Sequence, residues 1–356
     1  MASTIRMSLF HNMAKVPESL RSRYEMYHCT LGDRALIPTL KATLNPPTIL
    51  LYTIAAAANS AWWAREQPND PIGYFWIEAN RPDWFLRDTD GLRINYDNYP
   101  DVWALDPGNE DYQDSWAANA ITRAQSLGVD GVKLDNVNTR WDWNHAAVPA
   151  KYPAQRHWYL AMGSFLQNVV PQLQRAGMSV IGNGSGDQWT SGPWTEWIKL
   201  LDGREYERGP SFEDEAKWRD ILAGYQKHPN KIYVHYLIDP ATYPEVFRFK
   251  LASFLLFAGP NSYLSMPWTE TPPITDPLTE VDLGRPAGKC RQIAPTVYQR
   301  TYSKGEVVLN ISASVPAIIT PGVKTIDGKP LSPSRLLLAP RESLILAGGR
   351  RLFVGA

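Results

Sequence analysis

Cysteine is scarce in this 356-residue chain: only Cys29 and Cys290 occur, far apart and without metal-like spacing. That argues against a disulfide framework and against a zinc site, and leaves at most one long-range bridge open. Histidine is equally sparse. The six (His11, His28, His145, His157, His228, His235) include no His-x-His pair, so the clustered ligands of a metal-dependent hydrolase are missing, and no cofactor is expected. No recognisable elbow presents a serine or cysteine nucleophile. Net charge is absent as well, with 36 basic residues against 36 acidic ones, so no field exists to draw in nucleic acid or an anionic membrane. No apolar run reaches the length of a membrane span, and no charged segment followed by an apolar run opens the chain. Localisation stays open, secretion after removal of a signal peptide included, and oligomeric state is unreadable.

Aromatic residues are plentiful: 14 Trp and 17 Tyr accompany 29 Pro. An excess of tryptophan serves core packing, and flat amphipathic rings also suit the C–H faces of sugar rings. The length allows one barrel with an appendage.

The stretch from Leu127 to Asn138 stands at the centre of the pattern. It turns at Gly128 and runs through Val132, Leu134 and Val137, as a buried strand of a parallel sheet does. Period two puts Lys133 and Asp135 on one face. With Val132 and Leu134 toward covering helices, Lys133 and Asp135 point inward, Asp135 at the carboxyl end where α/β proteins collect ligands and chemistry. Lys133 is the expected partner that holds Asp135 ionised. The competing interpretation is a structural ion pair inside the barrel.

Strands are expected at Ile5 to Phe10, Met26 to Thr30 and Thr48 to Ile54, with helices over Val16 to Tyr24 and Asp33 to Leu44 between them. Residues 55–103 form a long aromatic and acidic insertion containing Trp62, Trp63, Trp76, Trp84 and Phe85, expected as a loop over the mouth of a barrel. Helix Glu110 to Leu127 feeds the Asp135 strand, and helix Gln155 to Arg175 follows. Further strands are read at Met178 to Gly182, through Leu201 to Glu207, at Lys231 to Ile238 and at Asn261 to Met266, with helices at Phe212 to Tyr225 and Glu245 to Phe257. That makes about eight strands alternating with helices, the count of a (β/α)8 TIM barrel. From Val297 short strands with turn signals suggest a small antiparallel, β-sandwich-like domain. The expected division is 1–285 for the barrel and 286–356 for the β-domain.

Two carboxylates brought to one cleft from different strand ends are what glycosidic bond cleavage requires. Asp135 fits the nucleophile or base. Glu207 or Glu205, on one face of the segment after Leu201, fits the acid, against the plain alternative of surface ion pairs with Arg204 or Arg208. Separations of about 5 to 5.5 Å or about 6.5 to 9.5 Å would correspond to retention or inversion. Asn136, Asn183, Asp187, Trp76, His235 and Trp268, with Lys133, are candidate substrate contacts, as are His11 and Asn12. His235 also reads as a satisfied core histidine.

The strand Val129-Asp-Gly-Val-Lys-Leu-Asp-Asn136 resembles the one that carries the catalytic aspartate of the α-galactosidase clan in a Lys-x-Asp-Asn pattern. More widely, Asp83-Trp84-Phe85-Leu86-Arg87-Asp88 with Asp90-Gly91, Leu105-Asp106-Pro107, Asp130-Gly131, Asp202-Gly203 with Glu207, Asp282-Leu283-Gly284-x-Pro286, and the run Tyr298 to Leu346 with Arg300-x-Tyr302 are similar to hypothetical glycosyl hydrolase family 15. The resemblance implies a (β/α)8 barrel acting on a carbohydrate, with Asp135 as nucleophile or base and Glu207 as acid. The chain departs from that group in the polar Arg204-Glu205 before Tyr206, which leaves Glu205 in play. The rival class is a non-catalytic glycan-binding barrel, in which one carboxylate has lost its role.

Overall fold

A computed structural model describes residues 5–10, 16–61, 70–184, 189–207, 214–237, 242–265, 281–319, 336–347 and 350–351. The chain begins with β1 (Met7–Phe10), α1 (Glu18–Arg21), β2 (Tyr24–Cys29), α2 (Ile37–Lys41) and β3 (Thr48–Ile54). The insertion supplies β4 (Ala57–Asn59), α3 (Tyr74–Asn80), β5 (Asn95–Tyr96) and β6 (Tyr99–Ala104). Regular alternation follows, through α4 (Glu110–Leu127), β7 (Gly131–Asp135), α5 (Gln155–Arg175), β8 (Ser179–Asn183), α6 (Trp194–Leu200), β9 (Gly203–Tyr206), α7 (Glu215–Lys227), β10 (Ile232–Tyr236), α8 (Pro244–Phe257) and β11 (Ser262–Ser265). Eight strands close into a barrel in the order β1-β11-β10-β9-β8-β7-β3-β2, and the described pairings within it are parallel. The fold is the expected (β/α)8 barrel.

Departures from expectation have local causes. The two early helices shrink to one turn each. Pro17 precedes α1, while Pro38 lies in the first turn of α2 and Asn45-Pro46-Pro47 blocks its extension. The insertion is not plain loop. Asp97-Asn98 turns β5 into β6, and β4-β6-β5 form a three-stranded antiparallel sheet.

Contact density divides the described residues into two compact units. In the one built on Met26–Glu205, α4 starts where the Asn109 side chain accepts a hydrogen bond from the Tyr112 amide at 3.0 Å, relieving an unpaired helix N-terminal donor. Its buried face is pinned to the end of β3: Trp116 Nε1 donates to the Ile54 carbonyl at 3.0 Å and Tyr112 Oη to that of Ala55 at 2.8 Å. Phe165 of α5 meets Trp116 edge-on at 5.3 Å, so apolar burial and two satisfied polar ends hold the helix pair.

The other unit holds the described residues of Met1–Phe10, Lys15–Glu25 and Tyr206–Ala356. Its C-terminal strands β12 (Arg291–Ala294), β13 (Val297–Tyr302), β14 (Gly305–Asn310), β15 (Ala317–Ile319), β16 (Leu336–Leu338), β17 (Ser343–Ala347) and β18 (Arg350–Arg351) form a five-stranded antiparallel sheet, β12-β13-β14-β17-β18, and a β15-β16 pair. Helix α8 buries Phe247, Phe249, Phe254 and Phe257. Arg300 of β13 donates to the carbonyls of Leu255 at 3.2 Å, Leu256 at 3.3 Å and Ala258 at 2.5 Å, and Tyr302 Oη donates to that of Leu255. A cation thus satisfies the carbonyls that the helix end leaves unpaired.

Candidate active site

Strand β7 is fixed at its foot before its tip does anything. Asp130 and Ile49 exchange hydrogen bonds: the Ile49 amide donates to Asp130 Oδ2 at 2.7 Å and the Asp130 amide to the Ile49 carbonyl at 2.8 Å, while Lys41 pairs with the same carboxylate. Asp202 makes the same exchange with Val180 one strand pair further on, at 2.8 Å each way. Asp130 and Asp202, each followed by glycine, therefore lock neighbouring strands in register. Glycine must follow at 131, since a Cβ there would lie 2.1 Å from the Ser179 carbonyl oxygen.

At the other end of β7, Asp135 is held by two neighbours. Tyr52 Oη donates to its Oδ2 at 2.7 Å and Asn183 Nδ2 to its Oδ1 at 2.7 Å. Tyr52 comes from β3 and Asn183 is the last residue of β8, so the strands flanking β7 each supply one donor. Both carboxylate oxygens are engaged and the plane of the group is set.

Lys133 does not take the partner expected for it. Its ammonium pairs with Glu205 of β9, whose other oxygen lies 3.1 Å from His28 Nδ1 of β2, and all three side chains are fully enclosed. Successive inward residues of one strand belong to different layers of a barrel interior, so Lys133 reaches across to other strands more readily than up its own. Burial by itself raises the Glu205 carboxyl, but the ammonium of Lys133, and then His28, outweigh it and bring Glu205 down to about 2. Lys133 Nζ also lies 5.1 Å from the centre of the Tyr52 ring.

Beyond the strand tip the backbone is unusual. Asn136 has φ 58°, a left-handed conformation that asparagine tolerates better than most residues. The Val137 amide donates to the Asn183 carbonyl at 2.8 Å, and Gly184 permits that approach, because a Cβ would sit 2.0 Å from the Val137 carbonyl oxygen. Asn144 Nδ2 donates to Asn136 Oδ1 at 3.4 Å, and its carbonyl accepts from the Asp97 amide at 2.9 Å, which joins this loop to the insertion hairpin. Trp141 stacks on His145 at 5.9 Å, and Tyr96 lies 6.2 Å from the same imidazole. Burial, and secondarily the charge of Asp135, push the Tyr96 phenol up against the opposing hydrogen bond of Asn144.

The remaining candidates are placed as follows. Glu207 is exposed, one residue past β9. Trp76 lies on α3 in the insertion, its ring 6.0 Å from buried Trp84. His235 is closed off, its Nε2 hydrogen-bonded to Tyr225 of α7 and its ring against Phe254 of α8 at 6.1 Å, so it faces helices. Asp187, Trp268, His11 and Asn12 lie outside the described residues. Sequence reasoning missed Tyr52 and the place of His28. Tyr52 is paired in register with Lys133, a relation that appears only when β3 is known to neighbour β7.

A closed parallel barrel with helices between its strands is a (β/α)8 fold, and Asp135 stands anchored at one of its strand tips. Residues 45–306 match the model of hypothetical glycosyl hydrolase family 15, and the chain belongs to that family. It is a glycosidase, and its substrate is a carbohydrate. No curated protein matches it in sequence. Among solved structures it is similar to the α-amylase of Geobacillus thermoleovorans in complex with acarbose, with TM-score 0.53, 11% identity, and coverage of 96% of this chain and 97% of the other. It is also similar to the maltogenic α-amylase AmyB of Thermotoga neapolitana, with TM-score 0.51, 11% identity and coverage of 98% and 97%. A variant of the GH36 α-galactosidase AgaA of Geobacillus stearothermophilus in complex with raffinose reaches TM-score 0.50 at 11% identity, over 90% of this chain and 50% of that one. At such identities the likeness is one of fold.

Proposed function

We propose that the protein cleaves O-glycosidic bonds of a poly- or oligosaccharide with Asp135 as nucleophile or base and Glu207 as general acid. The observation that supports this is the setting of Asp135, at the carboxyl tip of a barrel strand with both oxygens held by Tyr52 and Asn183. A carboxylate so oriented can attack an anomeric carbon or take a proton from water, while the acid delivers a proton to the leaving oxygen. Glu205 is unsuited to the acid role: at about 2, enclosed beside Lys133, it has no proton to give at ordinary pH. Glu207, on the same strand segment and exposed, remains for that role.

Asn136, Trp76 and, outside the described residues, Asp187 and Trp268 are proposed substrate contacts. Lys133 and His235 are enclosed, and we assign them to the interior rather than to the sugar. The test is a panel of polysaccharides and 2,4-dinitrophenyl glycosides read by released reducing ends and phenolate, repeated with Asp135→Asn. The variant is expected to keep its far-ultraviolet circular dichroism and lose roughly a thousandfold or more in kcat/KM on whichever glycoside the native chain cleaves. Undiminished turnover by Asp135→Asn refutes the assignment.

A further inference from the structure

We propose that Lys133 is a positioning residue for Asp135, acting through the ring of Tyr52, with Glu205 and His28 serving to hold the ammonium in place. The inference rests on Asp135 being the reacting carboxylate. The Lys133–Glu205 ion pair and His28 form a polar layer with no exposure, drawn from β7, β9 and β2. Stability alone gives little reason for such a layer, because apolar side chains of similar volume replace buried ion pairs at no loss or with a gain. A link toward the mouth is the Tyr52 ring, 5.1 Å from Lys133 Nζ, whose hydroxyl ends on Asp135 Oδ2 at 2.7 Å.

A cation beside an aromatic face draws electron density from it and makes the phenol a stronger donor, and in a dry interior successive polar contacts reinforce one another. Tyr52 thus converts a fixed charge in the barrel floor into a firmer bond on the acid at the mouth. Glu205 is needed because an ammonium without a counter-charge would not stay charged in that interior, and His28 holds the other oxygen of that carboxylate.

The decisive experiment is a double-mutant cycle between this layer and the Tyr52 hydroxyl. The variant Lys133→Met with Glu205→Leu removes both charges together, and thermal denaturation checks that it folds; Lys133→Met with Glu205→Gln is read in the same way should the first not fold. On the 2,4-dinitrophenyl glycoside that the panel identifies, kcat is expected to fall roughly tenfold with KM unchanged, and Tyr52→Phe to lower it at least as much. In the Tyr52→Phe background, removing the layer is expected to cost nothing further. A loss of equal size in both backgrounds, or no loss in the first, overturns the proposal.

A second readout needs no turnover. In protein labelled at tyrosine 13Cζ, the resonance assigned to Tyr52 by its absence in Tyr52→Phe is expected to move when the layer is removed, and an unmoved resonance overturns the proposal. Failure of the reading of Asp135 itself is told apart by Asp135→Asn, which leaves the Lys133–Glu205–His28 layer and the approach of Lys133 to the Tyr52 ring in place.

Discussion

Asp135 owes its orientation to two residues from flanking strands, and they differ in what else they do. Tyr52 touches the charged layer below, whereas Asn183 also ties the loop after β7, since its carbonyl accepts from the Val137 amide. Removing the Asn183 side chain deletes one hydrogen bond to a charged group, a contact typically worth about 1.5–3 kcal/mol. Asn183→Ala is therefore expected to lower the melting temperature and to lower kcat by roughly 10- to 100-fold as the carboxylate loses one of its two anchors, checked by steady-state kinetics beside calorimetry. At this scale the sequence showed Asp135, Lys133, Asn183 and the inward alternation. It did not show that Lys133 belongs to Glu205, because pairing across a barrel depends on strand order and stagger, which no local pattern encodes.

Among the elements, the longest helices and the strands with strong runs of apolar residues were legible to within a residue or two: α4, α5, β3 and β7 carry periodicity and end signals along their whole length. The first two helices and the insertion sheet were not. Their residues are polar or proline-broken, so no long apolar periodicity marks them. The turn after β8 is a point where one element constrains another. Gly184→Ala places a methyl against the Val137 carbonyl at a distance no real contact adopts, so loop and strand must separate. The expected outcome is a loss of about 1–3 kcal/mol in urea unfolding, with activity reduced because Asn183 moves with the turn. In the second unit, Arg300→Ala takes this donor from the carbonyls of Leu256 and Ala258 and leaves Leu255 with Tyr302 in its place, and a destabilisation of about 1–3 kcal/mol is expected by the same measurement.

For the whole molecule, stability against pH is set by groups that titrate differently when folded. Glu205 has its carboxyl lowered to about 2 from 4.5, so its contribution is fully present above pH 4.5 and is lost as pH falls from there toward 2; it amounts to an order of 3 kcal/mol. Glu306 goes the other way: burial raises it to about 7, so stability declines as pH rises from 4.5 to 7. Thermal unfolding across pH 2 to 8 is expected to show the acid-side loss shrink in Glu205→Gln measured relative to its own maximum, and an unchanged acid limb would contradict the assignment. By itself the sequence determined the barrel class, the appended β-strands and the residue at the strand tip, since composition, periodicity and turn residues act over a few neighbours. Tertiary structure alone decided which side chains meet. Tyr52 and Asn183 reach Asp135, Lys133 reaches Glu205, and His235 turns to the helices, because barrel closure brings together strands as distant in the chain as β1 and β11, with Met7 beside Leu264, and makes interior partners of residues with no local relation.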